Sequence, residues 1–187
     1  MRVVVGLGNP GQRYVNTRHN LGFRVVEAFA ATYEETWAKG DRYLFALINS
    51  ESDPLLLVKP STFMNSSGEA VADVILRFSP SIDDLMVVVD DVHLSLGQNR
   101  IRRRGSDGGH NGLTSIQASL ESSCFPRLRM GVGSPPEGSD LIDYVLSEFA
   151  SDALVVVDAQ IKRAVEALEC WVGRGLEEAM NHFNCEG

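Results

Sequence analysis

The sequence predicts an α/β protein in a single domain over residues 1–187, with a mixed, mostly parallel central sheet and helices on both faces. Three observations carry this. Short β-branched or unbroken apolar runs, such as 3–5 and 85–89, stop abruptly at Gly6 and Asp90. Segments of helical period lie between such runs. No repeat, linker or low-complexity stretch interrupts the chain, and 44% hydrophobic against 22% charged residues is enough to bury one core.

Taken in order, Val3, Val4 and Val5 predict a first strand. Residues 8–20, polar and rich in Gly, Pro and Asn, predict a loop. Leu21, Val25, Val26, Phe29 and Tyr33 then recur at helical spacing and place a helix against the sheet. Residues 43–48 and 55–58 read as strands joined by the polar turn 49–54, a hairpin that makes the sheet mixed. Ser66 and Glu69 stand at capping-box spacing ahead of Val71, Val74, Ile75 and Phe78, so a helix opens there with Asn65 just before it. The run 85–89 reads as a central strand covered on both faces, and it ends in Asp90 and Asp91. Residues 105–112 form a further loop, leading to a helix with Leu113, Ile116 and Leu120 inward and a strand over 128–132. Beyond Ser139 the pattern is helical over 141–149, 151–172 and 176–183.

Several classes are excluded on composition. No stretch approaches the roughly 20 apolar residues of a membrane span, and Met1 is not followed by a basic and then apolar leader, so the expectation is a cytoplasmic protein with no membrane role. Cys124, Cys170 and Cys185 are odd in number and widely spaced, and they read as packing thiols rather than a disulfide framework or zinc site. The formal charge of -8 opposes a polyanionic partner when taken as a sum. Its distribution is uneven: Glu166, Glu169, Glu177 and Glu178 lie in helical stretches, whereas Arg100, Arg102, Arg103 and Arg104 crowd one segment and Arg127 and Arg129 another. The arginines are either a basic rim on an acidic body or gatekeepers of a sheet edge.

Chemistry is narrowed by elimination. Gly6-Leu7-Gly8-Asn9-Pro10-Gly11 matches G-x-G-x-x-G, but the helix starts too late for its N-terminus to meet a pyrophosphate, and no acidic residue ends a second strand at the required distance. Gly105-Ser106-Asp107-Gly108 fails the nucleophile-elbow pattern because arginine replaces its first glycine. His19, His93, His110 and His182 have no metal-binding spacing, so neither metal nor cofactor is expected. What remains is an imidazole and a set of carboxamides in three loops: Asn9, His19 and Asn20; Asn65; His110 and Asn111. A neutral imidazole can take a proton from water when a carboxylate orients its other nitrogen, and Asp90, at the carboxyl end of a strand, is the best-placed partner. Carboxamides can hold a carbonyl, a ribose hydroxyl or the attacking water.

Five blocks in register over residues 6–133 resemble the bacterial peptidyl-tRNA hydrolase family. They are Gly6 to Gly11; Tyr14 with Thr17-Arg18-His19-Asn20; Lys59-Pro60-Ser61-Thr62-Phe63-Met64-Asn65; Gly108-Gly109-His110-Asn111-Gly112; and Arg127-Leu128-Arg129. The resemblance implies cleavage of the ester joining a peptide to the terminal ribose of tRNA, with His19 as base and Asp90 as its partner. It implies that Asn9 recognises the N-blocked peptide, and that Tyr14, Phe63, Met64, Asn65, His110 and Asn111 contact the acceptor end or the peptide. Arg100, Arg102 and Arg129 then face tRNA phosphate. It further implies a monomer with no cofactor and no obligate protein partner, acting in translation and ribosome rescue. The alternative is a non-catalytic RNA-binding relative of the same fold. One stretch departs from the family pattern: after Asp90 the chain runs Asp91-Val92-His93-Leu94-Ser95, so His93 replaces an acid and a proline is absent. That departure bears on the loop's rigidity and charge rather than on the chemistry.

Overall fold

Runs that are apolar at successive positions can be satisfied only between two covering layers, and the computed structural model, which describes residues 1–49 and 54–184, places them so. Among the described residues the strands are β1 (Arg2–Gly6), β2 (Ala38–Lys39), β3 (Tyr43–Ile48), β4 (Leu55–Pro60), β5 (Leu85–Asp91), β6 (Asn99–Arg102) and β7 (Arg127–Gly131). They form one sheet in the order β2-β3-β4-β1-β5-β7-β6. The central β4, β1, β5 and β7 run parallel, and antiparallel pairings add β3 and β2 at one edge and β6 at the other.

The helices are α1 (Leu21–Thr32), α2 (Ser67–Phe78), α3 (Asn111–Leu120), α4 (Leu141–Val145), α5 (Leu154–Arg174) and α6 (Leu176–Phe183). Alternation along the strands divides the core. Val4, Met86 and Val88 pack with α1, α5 and α6 through Val25, Phe29, Ala164, Leu168 and Phe183. Val3, Val5, Val87 and Val89 face α2 and α3 through Val71, Val74 and Ile116.

Glycines explain the first loop. A Cβ on Gly6 would stand 2.2 Å from Gly22 O, and one on Gly22 would stand 2.4 Å from Leu7 N, so α1 packs in backbone contact with the end of β1. Phe23 N donates to Leu7 O at 3.1 Å, so a donor in the first turn of α1 serves the loop rather than a pyrophosphate. Glycine here allows close approach of helix and strand.

The structure corrects several local expectations. Ser66 makes no side-chain cap; a 3-10 turn over Met64–Ser66 winds directly into α2, and Ser67 Oγ donates to Met64 O at 2.9 Å. Residues 12–14 and 18–20 form 3-10 turns inside the expected loop. Helix α4 stops at Val145 rather than at residue 149, because Glu148 pairs with Thr17 in an antiparallel bridge. Residues 151–153 are 3-10, so α5 begins at Leu154. The pattern gave no strand over 38–39, a two-residue edge, and none over 99–102, where charges alternate with Asn99 and Ile101. The hairpin pairs β3 with β4 as expected, while turn residues 50–53 lie outside the described residues. Cys170 is half-buried and packs against the core as a packing thiol should, whereas Cys124 is exposed; Cys185 lies outside the described residues.

Without its proline, the stretch after Asp91 is held by hydrogen bonds. Gln98 N donates to Ser95 O at 3.1 Å, Gly133 N to Leu94 O at 3.0 Å and Gly131 N to Gln98 O at 2.8 Å. The buried Gln160 carboxamide donates to Gln98 O and Gly131 O. No helix among the described residues is long and apolar enough to cross a membrane.

Candidate active site

The carboxyl ends of β1, β4 and β5 deliver the polar loops to one crevice, the position where open α/β sheets bind ligands. Strand β5 ends in two carboxylates with separate duties. Asp90 is 4% exposed and sits between two imidazoles. Its Oδ1 and Oδ2 are each 3.0 Å from His19 Nδ1, and Oδ1 is also 3.0 Å from His110 Nε2. Asp91 instead accepts from His93 N at 2.8 Å and pairs with the Arg129 guanidinium.

Tautomers follow from the hydrogen-bond network. His110 caps α3: its Nδ1 accepts from Gly112 N at 3.1 Å and Leu113 N at 3.4 Å, so its proton is on Nε2 and points at Asp90. Burial works against the Asp90 charge, but the two imidazoles and their hydrogen bonds outweigh it and hold the carboxyl well below the usual carboxylate range. An ionised Asp90 only accepts, so His19 donates from Nδ1 and keeps a lone pair on Nε2. Burial lowers the His19 pKa, yet the Asp90 charge and hydrogen bond exceed that effect, and the net direction is upward. The two imidazole rings lie 4.8 Å apart.

Carboxamides are fixed by other carboxamides and by backbone. The Asn20 side chain brackets Asn9, accepting from its N at 2.8 Å and donating to its O at 2.9 Å. Asn9 Oδ1 accepts from Met64 N at 2.8 Å, which leaves its NH2 for a ligand and ties the loop after β1 to the loop after β4.

Two cavities meet at His19. One of about 300 Å³ is lined by Asn9, Phe63, Met64, Asn65 and Asn111 opposite Ile142, Val145 and Leu146. The other, about 440 Å³, runs beneath residues 104–111 past Asp91 and His93 to Arg102, Arg104 and Arg129. His19, Asn111, Ile142 and Val145 border both.

Most expected residues converge here, with exceptions. Tyr14 stands on the 3-10 turn over Gln12–Tyr14, stacked under the Arg13 guanidinium at 4.5 Å, and lines neither cavity. Arg100 is exposed on β6 and also lines neither. Both ring nitrogens of His110 are engaged within the protein, so any substrate contact is left to its carbon edge. Arg127, counted in the basic rim, is 1% exposed and donates to the carbonyls of Gly105, Ser106 and Ser123, which makes it a strut for the loop above the larger cavity. Burial and Arg129 both lower its pKa. Arg100 and Arg102 face Arg129 and Arg127 across the β6–β7 pair, an unfavourable like-charge arrangement. Among the described residues neither Arg100 nor Arg102 has an ion-pair partner. The sequence did not reveal the apolar wall of Ile142, Val145 and Leu146; a short amphipathic segment carries no signal of which loop it faces.

His19, Asp90 and His110 also gather three potential metal-ligating atoms within 4.8 Å of one another, a grouping that spacing along the chain did not foresee. Both nitrogens aimed at Asp90 carry protons in the assignment above, so an ion there would have to displace them.

A buried imidazole–carboxylate pair, with carboxamides on one side and guanidinium groups on the other, on an α/β sheet, is chemistry suited to an ester hydrolase. The family model for peptidyl-tRNA hydrolase matches residues 3–187. A peptidyl-tRNA hydrolase of Fervidobacterium nodosum is 45% identical over 182 residues, covering 97% of this chain and 95% of that one. One of Syntrophomonas wolfei is 46% identical over 187 residues, covering 98% and 100%. The crystal structure of peptidyl-tRNA hydrolase from Acinetobacter baumannii superposes with a TM-score of 0.91 at 32% identity, over 99% of this chain and 95% of that one. The chain belongs to the peptidyl-tRNA hydrolase family.

Proposed function

We propose that the protein hydrolyses the ester between peptide and tRNA in peptidyl-tRNA, with His19 as general base. The observation that carries this is the pairing of His19 Nδ1 with both oxygens of buried Asp90, which leaves Nε2 as the free nitrogen of a residue that borders both cavities. Nε2 takes a proton from water as its oxygen attacks the ester carbonyl carbon, and Asp90 stabilises the resulting imidazolium. The carbonyl oxygen becomes an oxyanion, for which the Asn9 and Asn111 carboxamides are the nearby uncharged donors. Collapse breaks the bond to the ribose oxygen, which receives the proton from His19, and the peptide leaves as a carboxylic acid that loses its remaining proton to solvent. His110 holds Asp90 from the other side.

In this reading the smaller cavity takes the peptide and its ester. Asn9 recognises the N-blocked backbone, with Phe63, Met64, Asn65 and Asn111 around it. Arg102 and Arg129 in the larger cavity and Arg100 on the rim meet tRNA phosphate, while Tyr14 contacts the acceptor end from outside the cavities. Arg100 and Arg102, which have no ion-pair partner among the described residues, support this assignment, since phosphate neutralisation supplies the missing charge; Arg129 is already paired with Asp91. Action as a monomer, in translation and ribosome rescue in the cytoplasm, belongs to the same reading.

The test is incubation with N-acetyl-aminoacyl-tRNA and with free aminoacyl-tRNA, with and without EDTA. Selective cleavage of the blocked substrate, insensitive to chelation, is expected. RNA binding without cleavage would assign the chain to the binding-module alternative, and loss of activity with EDTA would return His19, Asp90 and His110 to the role of metal ligands.

A further inference from the structure

The wall that closes the smaller cavity is Ile142, Val145 and Leu146, on or just after a helix of five residues. A helix that short has no stability of its own, so its position must be imposed from outside. Arg18, the residue before His19, supplies several of its contacts. Arg18 N donates to Ser147 O at 3.1 Å, beside the Thr17–Glu148 bridge. Its Nη1 donates to Ser147 O at 3.1 Å, Ser147 Oγ at 2.7 Å and Glu148 O at 2.7 Å. The guanidinium carbon lies 4.4 Å from the Tyr144 ring centre and 5.0 Å from that of Phe149. Tyr144 is pinned in turn, its hydroxyl donating to Val132 O at 2.7 Å. Arg18 Nε is buried with no hydrogen-bond partner, a cost that an apolar side chain filling the same space would avoid. What the guanidinium adds is the grip on residues 147 and 148 and the stack against both rings.

We propose that Arg18 is a positioning residue that sets the height of α4 over His19, and thereby the width of the cavity that receives the peptide. The proposal rests on the reading of His19 and the smaller cavity given above. One side chain ties the wall of the binding site to the turn that carries the base, while the orientation of the imidazole itself comes from Asp90. Loosening Arg18 therefore costs binding of the peptidyl portion and leaves the proton transfer intact. Lysine keeps the charge and a donor but cannot reproduce the planar stack against both rings.

The experiment compares wild type with Arg18→Lys, using N-acetyl-aminoacyl-tRNA as substrate. KM is expected to rise about tenfold with kcat within about twofold and an unmoved pH midpoint, while amides over 141–149 exchange about tenfold faster. Unchanged exchange over 141–149 would remove the tether, and faster exchange with unchanged KM would remove the role of the wall. A fall in kcat with a shifted pH midpoint would assign Arg18 to His19 itself and overturn the proposal. Ile142→Ala truncates an exposed wall side chain without touching the tether; it should raise KM severalfold and add less than its full effect to Arg18→Lys. No effect of Ile142→Ala on KM, or full additivity, would likewise refute it. Should His19→Ala retain turnover, the base assignment falls, whereas the exchange result still decides the tether.

Discussion

The two cavities beside His19 share Asn111, Ile142 and Val145 but differ in the charge of the groups they add. The smaller joins carboxamides held by backbone hydrogen bonds to an apolar wall, and its donors are uncharged. The larger ends in guanidinium groups of which one, Arg129, is neutralised by Asp91, while Arg102 has no ion-pair partner among the described residues. Uncharged donors recognise a peptide or ester carbonyl by geometry, whereas free guanidinium groups attract phosphate over distance. The lesson is that an acidic chain, with a formal charge of -8, can keep one cationic compartment beside a neutral one and place an imidazole–carboxylate pair where they meet. Variants that break this division should act on the chemistry if they fall at the junction, and on binding alone if they fall on either side.

The largest effect belongs at the junction. His19→Ala removes the base and is expected to lower kcat on the order of 100-fold or more, with the affinity for tRNA retained. Loss of tRNA binding in parallel with kcat would dissolve the distinction between junction and cavities. Asp90→Asn tests the partner through its pH dependence. As base, His19 must be neutral, so kcat/KM rises with pH through a midpoint that Asp90 holds above the ordinary value of about 6.5. Removing the carboxylate leaves only burial, which lowers the His19 pKa, so the midpoint should move to lower pH while the plateau falls. A midpoint that stays or moves to higher pH contradicts the pairing. Stability carries the same signature with two signs. The raised His19 pKa favours the fold most below about pH 6.5, and that contribution fades as pH rises through the folded value; the lowered Asp90 pKa favours it above about pH 4, and that contribution is lost on further acidification.

On the neutral side, Asn9→Ala deletes the NH2 offered to the peptide and also the acceptor for Met64 N. The expected result is roughly a tenfold rise in KM for N-acetyl-aminoacyl-tRNA, in line with a buried donor left unpaired, and a narrower preference over free aminoacyl-tRNA. Equal loss on both substrates would mean that Asn9 only supports the loop.

Legibility followed the range of the forces involved. Strands β1 and β5 and helices α1, α2 and α6 were readable because burial on both faces of the sheet, or on one face of a helix, writes its period into the chain. His19 and Asp90 were readable as residue types at a loop and a strand end. Three things were not. The second imidazole on Asp90 depends on α3 presenting Nδ1 of His110 as its own cap, a contact between residues 20 apart with no periodic trace. Arg127 looked like its half-buried neighbour Arg129, since sequence does not say which arginine faces loop carbonyls. The α4 wall is set by Arg18, more than 120 residues away along the chain.

The smallest effect lies on the cationic side and separates the compartments most cleanly. Arg102 borders the larger cavity without an ion-pair partner among the described residues, so Arg102→Ala breaks no internal charge pair and should leave folding and kcat unchanged. If it meets one phosphate, the slope of log affinity for tRNA against log salt should become shallower by about 0.7 to 0.9, with severalfold weaker binding at low salt and little difference at high salt. Arg129→Ala is the contrasting case, because it also strips Asp91 of its partner. The freed carboxylate then opposes the phosphate, and the loss at low salt should exceed that of Arg102→Ala. Titrations over a range of salt decide it: equal slopes for wild type and both variants would leave the larger cavity without a role in phosphate recognition, whatever the sign of its charge.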